Sequence, residues 1–87
     1  MIIVLLPAYN EEKSFPPLID KLSSTLSQTK KDYKFLICND GSTDGTPEIL
    51  HEYSRNFPIE VIEHPINRGL GESSRDLFER AVQVGKS

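Results

Sequence analysis

This 87-residue chain lacks a second cysteine, because Cys38 is the only one. A disulfide needs two thiols, so none can form within the chain, and a lone reduced thiol is typical of an intracellular protein. Cys38 follows apolar residues, and we expect it to pack as a small buried hydrophobic side chain. The cysteine content therefore predicts a cytoplasmic protein.

An excess of positive charge is also missing. The chain has 10 Lys and Arg residues against 13 Asp and Glu residues, which gives a formal net charge of −3. Proteins that bind nucleic acid or anionic membranes usually carry a basic patch, whereas this chain has only the pair Lys30 and Lys31. We expect no nucleic-acid partner.

A long apolar run is the third absence. The opening "MIIVLL" is far shorter than the ~20 residues of a membrane-spanning helix, and it lacks the basic start and cleavage site of a signal peptide. We therefore expect no membrane span. The chain length of 87 residues allows one small domain over residues 1–87, with a modest core.

Three apolar stretches predict β-strands. Ile2–Leu6 and Tyr33–Asp40 are nearly continuous apolar runs, and Ile59–His64 alternates partway between apolar and polar residues. Both faces of Ile2–Leu6 are apolar, as in a central strand of a parallel sheet, whereas the glutamates of Ile59–His64 favour an edge strand.

A predicted helix follows each strand. The first helix begins after Ser14, a possible N-cap, and the second has Thr46 before a proline at its first turn. The third helix is expected to end at Gly85. Apolar residues recur at helical spacing in all three: Leu18, Ile19, Leu22 and Leu26; Ile49, Leu50 and Tyr53; Leu70, Leu77, Phe78, Ala81 and Val82.

The order β-α-β-α-β-α predicts a parallel sheet with right-handed crossovers. Such sheets carry their functional loops at the carboxyl ends of the strands. Three polar segments fall there: loop 1 (Pro7–Glu12), loop 2 (Asp40–Thr46) and loop 3 (Pro65–Gly71). The three loops are expected to share one edge of the sheet and to form a ligand site. His51 and His64 lack partners at metal-ligand spacing and are expected at the surface.

The loop motifs resemble a known family. In chain order they are "VLLPAYNEE", "CNDGSTDGT" and "NRGLGESSRDLF". Together they are similar to the amino-terminal half of family 2 glycosyltransferases, and most of all to members that resemble dolichyl-phosphate mannose synthase. The resemblance implies the Rossmann-like, three-layer α/β half of a GT-A fold, with the sheet order 3-2-1. It also implies transfer of a sugar from a nucleotide donor to a polyprenyl phosphate or another acceptor.

The resemblance further implies which residues bind the nucleotide. Glu11 would accept a hydrogen bond from a ribose hydroxyl and Asp40 one from a base N–H, while the segment from Asn67 to Gly71 would shape the floor of the site. No catalytic residue or metal ligand is assigned. The predicted nucleotide-binding residues are Pro7, Ala8, Tyr9, Asn10, Glu11, Asp40, Asn67 and Gly69.

The sequence departs from the family pattern in three respects. Asn39 stands where the family usually has the first of two adjacent acids, and Ser73 where alanine is common. The Asp-x-Asp pair that holds Mg²⁺ or Mn²⁺ in the complete enzyme, and the acceptor site, would follow the closing "VQVGKS". The chain is thus expected to be incomplete at its carboxyl end and inactive alone, with a parent protein that is cytoplasmic or membrane-associated. The alternative is a non-catalytic nucleotide-binding or interaction module derived from the same fold.

The predicted strand order leaves Ile2–Leu6 as an uncovered apolar edge. Unpaired backbone groups on such an edge can pair with another chain. Two copies related by a two-fold axis would join antiparallel along Ile2–Leu6 into a six-stranded sheet. We expect a homodimer, with a monomer shielded by its own tail as the alternative.

Overall fold

A computed structural model describes residues 1–86 of the chain. Strands and helices alternate as the sequence predicts. In chain order the elements are β1 (Ile2–Ala8), α1 (Phe15–Ser27), β2 (Tyr33–Asp40), α2 (Thr46–Ser54), β3 (Ile59–His64) and α3 (Leu70–Lys86).

The strands form a parallel sheet in the order β1-β2-β3. In the register of the sheet, Ile2 lies opposite Tyr33, and Phe35 lies opposite Ile59. The central strand β2 is buried from Phe35 to Asp40, which explains its nearly continuous apolar run. The predicted sheet order is confirmed.

Helices cover both faces of the sheet because successive side chains of β2 point to opposite sides. Phe35 and Ile37 belong to the larger cluster, which includes residues of α1 and α2. Leu36 and Cys38 pack against Leu77 of α3 in the smaller cluster. The predicted three-layer architecture and the buried, free thiol of Cys38 are both confirmed.

Strand β1 extends two residues beyond the predicted end at Leu6, through Pro7 to Ala8. The N–H of Ile2 donates to the carbonyl oxygen of Asp32 across 2.8 Å, so alternate residues counted from Ile2 face β2. Pro7 falls on the opposite parity, where no N–H is needed to bond β2. A proline can therefore continue this strand, and the sequence-based end was too early.

The apolar residues of α3 recur at helical spacing, but not all of them face the sheet. Leu77 is buried and Ala81 packs beside it, whereas Leu70, Phe78 and Val82 are 67%, 65% and 42% exposed. Neighbouring residues on a helix point about 100° apart, so Phe78 and Val82 turn outward where Leu77 and Ala81 face the sheet. The helix therefore presents an exposed apolar surface.

The helix ends differ in detail from the sequence prediction. Ser14 does occupy the N-cap position of α1, but its hydroxyl donates to the carboxylate of Glu11 instead of capping the helix. Gly85 lies inside α3 because its backbone does not adopt the left-handed conformation that ends a helix. Within residues 1–86, no helix has both the length and the apolar character needed to cross a membrane.

Candidate functional site

The carboxyl ends of the strands surround a cavity of about 320 Å³, which we call the rim cavity. This volume lies at the lower end of the range for small-molecule sites. All three loops contribute to its wall. The lining residues are Pro7, Ala8, Tyr9, Glu11, Asp40, Asn67, Gly69, Leu70 and Ser73. The structure thus brings together every predicted nucleotide-binding residue except Asn10.

Asn10 joins loop 1 to loop 2 instead of lining the cavity. Its backbone N–H donates to Ser42 Oγ at 3.1 Å, and its side-chain Oδ1 accepts a hydrogen bond from the Thr43 N–H at 2.8 Å. Asn10 has a φ of +53°, a left-handed conformation that asparagine tolerates better than most residues. Its position and conformation indicate an organising role between the two loops.

Further hydrogen bonds strengthen the same junction. The Glu11 N–H donates to Thr46 Oγ1 at 2.9 Å, and Glu12 Oε1 accepts from the Gly45 N–H at 3.0 Å. Asp44 Oδ1 accepts the Thr46 N–H at 2.9 Å at the beginning of α2. The Thr46 hydroxyl, which also donates to Asp44, holds the pKa of that carboxyl below its usual range. Loops 1 and 2 are therefore joined through several groups, which are exposed or half-buried except for Thr46.

Loop 3 is attached mainly through the buried carboxylate of Asp40, which is 4% exposed. Asp40 Oδ1 accepts the Arg68 N–H, and Oδ2 accepts the Gly69 N–H, both at 2.9 Å. The hydrogen bond from the Arg68 N–H does most to lower the pKa of Asp40, and the bonds from His64 and Gly69 lower it further. A carboxylate has about four acceptor positions, so one position on Oδ2 remains for a further donor.

Loop 3 also packs closely on the backbone of Gly41. Gly41 has a φ of +70°, and a Cβ at this position would lie 2.3 Å from the backbone nitrogen of Asn67. Only glycine avoids both the strained conformation and the clash. The close approach of loop 3 to loop 2 therefore depends on a residue without a side chain.

The prediction that both histidines lie at the surface is right for His51 and wrong for His64. His51 is exposed on α2, whereas His64 is 6% exposed at the end of β3. His64 lies directly opposite Asp40 in the parallel register. The rule that polar residues at strand ends meet at one edge, applied to the third strand, places His64 at the same edge as Asp40 but does not predict its burial.

Ser73 also lines the cavity and was not among the predicted residues, whereas Leu70 belongs to the loop 3 segment that was predicted to shape its floor. Leu70 and Ser73 lie in the first turn of α3 and line the wall beside Gly69. Ser73 is 1% exposed, so the cavity wall has room for only a small side chain at this position. The predicted start of α3 directly after loop 3 was the signal in the sequence that could have indicated Ser73.

The described residues do not form a metal site. No group of three or more His, Cys, Asp or Glu side chains within residues 1–86 lies close enough to hold an ion. Asp40, which lines the cavity, already accepts three hydrogen bonds. These residues therefore do not fit the Mg²⁺ or Mn²⁺ that the fold family implies.

Comparisons with known proteins agree with the fold and with the family resemblance. The family model for glycosyl transferase family 2 matches residues 3–83. A dolichyl-phosphate beta-glucosyltransferase of Trichomonas vaginalis is 39% identical over 74 residues, which cover 78% of this chain and 23% of that protein. An undecaprenyl-phosphate 4-deoxy-4-formamido-L-arabinose transferase of Proteus mirabilis is 32% identical over 73 residues, or 84% of this chain and 22% of that protein.

A solved structure has a similar fold. The crystal structure of S. aureus TarS superposes with a TM-score of 0.68 and 25% identity, over 91% of this chain and 24% of that one. The chain belongs to glycosyl transferase family 2. It spans about a quarter of the length of the relatives that it matches.

Proposed function

We propose that this chain is the nucleotide-recognising part of a glycosyltransferase that moves a sugar from a nucleotide donor to a polyprenyl phosphate. One observation carries the proposal. Residues of three separate loops, which the family motifs assign to nucleotide binding, line one cavity at the carboxyl ends of the strands. That position is the usual ligand site of parallel α/β sheets.

The chemistry of the cavity supports a nucleoside as the ligand. The remaining acceptor position of Asp40 suits a base N–H, and the carboxylate of Glu11 at the cavity wall suits a ribose hydroxyl. Tyr9, 45% exposed beside them, offers an aromatic face for stacking. We expect weak binding because the chain has a net charge of −3 and the ligand is an anion.

The binding proposal is tested by titrating the chain with uridine diphosphate and guanosine diphosphate while recording amide chemical shifts. We expect changes at Tyr9, Glu11 and Gly69, and none at Asp32 or Phe57 at the opposite ends of the strands. Inorganic pyrophosphate is the control for binding through charge alone. Shifts confined to the opposite edge, or none at millimolar nucleotide, would contradict the proposal.

The acceptor and the activity of the whole protein belong to the same proposal. Two relatives are named for dolichyl phosphate and undecaprenyl phosphate, which are both polyprenyl phosphates. We expect this chain to transfer no sugar alone, and to act in the cytoplasm or at a membrane within a longer parent protein. A transfer assay of the longer parent protein with either lipid separates an active enzyme from the alternative, a non-catalytic binding module.

We also propose that the chain forms a homodimer along Ile2–Leu6. Within residues 1–86, β1 hydrogen-bonds to β2 on one side and has no strand on the other. The side chains of this stretch are apolar and only half-buried. An apolar edge with free backbone groups favours pairing with a second copy.

The direction of the backbone groups selects the variant that tests this dimer. Because the N–H of Ile2 faces β2, the N–H of Leu5 lies on the opposite parity and faces the free edge. Both Leu5→Pro and the control Leu5→Ala shorten the side chain, but only Leu5→Pro removes that N–H. Sedimentation at micromolar concentration should show a dimer for Leu5→Ala and a monomer for Leu5→Pro. An unaltered chain that sediments as a monomer would refute the proposal.

A further inference from the structure

His64 bridges two acidic side chains that belong to different elements. Its Nδ1 lies 2.9 Å from Asp40 Oδ1, on β2, and its Nε2 lies 2.6 Å from Asp76 Oδ2, on α3. Ionised carboxylates only accept hydrogen bonds, so both ring nitrogens must donate if both acids are charged. The geometry therefore favours the imidazolium form, with its positive charge between two negative charges.

The Asp40 carboxylate in this bridge also holds loop 3. The oxygen that faces His64 accepts the Arg68 N–H, and the other oxygen accepts the Gly69 N–H. We infer that His64 is a positioning residue, which ties α3 to Asp40 and so fixes the loop 3 wall of the rim cavity for nucleotide binding. This inference rests on the proposed function, since it concerns the same cavity.

The surroundings of His64 are acidic on every element packed against it. Asp40 and the Cys38 thiol, 3.7 Å from Nδ1, face it from β2, and Asp76 faces it from α3. Glu63 precedes it on β3 and bonds to Asn39. The hydrogen bonds to Asp40 and then to Asp76 raise the pKa of His64 above its ordinary value, although burial opposes them.

The two shifted groups limit the pH range in which the bridge is intact. A raised histidine pKa stabilises the folded wall below the ordinary value of about 6.5, and this contribution is lost as the pH rises through the raised pKa. The lowered pKa of Asp40 stabilises the wall above about 3.9, and that contribution is lost as the pH falls through the lowered pKa. The wall should therefore be best ordered in mildly acidic to neutral solution.

The protonation state can be read directly from the ¹⁵N chemical shifts of the two histidine rings. At about pH 6, below the ordinary histidine pKa, we expect both nitrogens of His64 to be protonated, and the exposed ring of His51 serves as the internal reference. Asp76→Asn removes one negative charge without changing the size of the side chain, so it should lower the pH at which His64 titrates. Glu79→Gln, at an exposed acid on the same helix, is the matched control. A His64 ring that loses a proton below the ordinary histidine pKa of about 6.5 would overturn the inference.

The positioning role is tested with His64→Gln against His51→Gln. In His64→Gln we expect displaced amide signals and faster hydrogen exchange at Arg68 and Gly69, with or without nucleotide. Uridine diphosphate affinity of the unaltered chain should fall by roughly threefold to tenfold between about pH 6 and pH 9, as for loss of one hydrogen bond. His64→Gln should abolish that pH dependence, and Asp76→Asn should move it to lower pH.

These readouts separate the two proposals. If no nucleotide binds at any pH, the proposed function fails, while the ring shifts and the loop 3 amides still decide the role of His64. Unchanged Arg68 and Gly69 amides in His64→Gln would refute the positioning role. A variant that is only less stable, and keeps the pH dependence of affinity, would also refute it.

Discussion

Loops 1 and 2 are connected in a different way from loops 2 and 3. The first junction has several independent hydrogen bonds, mostly through exposed or half-buried groups, among them those of Asn10, Glu11 and Glu12. The second depends on the buried Asp40 carboxylate and on the absence of a side chain at Gly41. The first junction should therefore tolerate the loss of any one group, whereas the second should fail at a single substitution.

The largest effect is expected for Gly41→Ala. The new Cβ would approach the backbone of Asn67 and strain the positive φ of Gly41, so we expect a loss of about 2–4 kcal/mol in the free energy of unfolding. Urea denaturation measures it. Gly71→Ala is the control, because its Cβ meets no atom within 4 Å and its effect should stay within about 1 kcal/mol. Equal stabilities of the two variants would contradict the dependence on Gly41.

Asp40→Ala and Glu12→Ala compare one acid from each junction. Asp40 lines the cavity and holds loop 3, whereas Glu12 is exposed and bonds only within the first junction. We expect Asp40→Ala to weaken uridine diphosphate binding about tenfold or more, as for loss of charge-assisted hydrogen bonds. Glu12→Ala should change it less than about twofold. Calorimetry that gives equal losses would remove the distinction between the junctions.

Asn10→Ala tests the tolerance of the first junction. The variant loses the Thr43 bond and must hold alanine at a φ of +53°, so we expect a loss of about 1–2 kcal/mol in unfolding free energy. Asn10→Gly loses the same bond without backbone strain and should lose less. Cavity amides should keep their shifts in both variants, since the bonds of Glu11 and Glu12 remain. A displaced Gly69 amide would show that the two junctions are not independent.

Strong local patterns predicted the parallel sheet and the edge at which the three loops meet, whereas the sheet order and the individual cavity residues were implied by the family resemblance. Buried parallel strands are continuous apolar runs, and polar residues at their carboxyl ends must lie at one edge of the sheet. The end of β1 was predicted too early, at the residue before Pro7. A proline ends a strand only where its missing N–H would have bonded the neighbouring strand, and that depends on the strand parity. That parity is fixed by the pairing of Ile2 with β2, which the sequence does not state.

The positions of individual polar groups were less predictable. Asn10 and Asp40 both lie in the predicted loops. However, Asn10 joins loop 1 to loop 2 instead of lining the cavity, and Asp40 is buried beneath loop 3. Burial of His64 depends on its register with Asp40 and on an acid one helix away, Asp76. These are contacts between distant parts of the chain, and no local pattern specifies them.

The smallest effect is expected from a divalent cation. Mn²⁺ needs several oxygen ligands, and the described part of the chain brings no three candidate side chains together. Asp40 accepts hydrogen bonds from two loop 3 N–H groups, so turning it towards an ion would detach that wall of the cavity. A cation carried by the diphosphate itself would chiefly reduce repulsion from the net charge of −3. We therefore expect Mn²⁺ to raise uridine diphosphate affinity by less than about threefold at moderate ionic strength. Calorimetry with Mn²⁺, with Mg²⁺ and with chelator measures this, and a gain of tenfold or more that Asp40→Asn abolishes would show that Asp40 binds the metal.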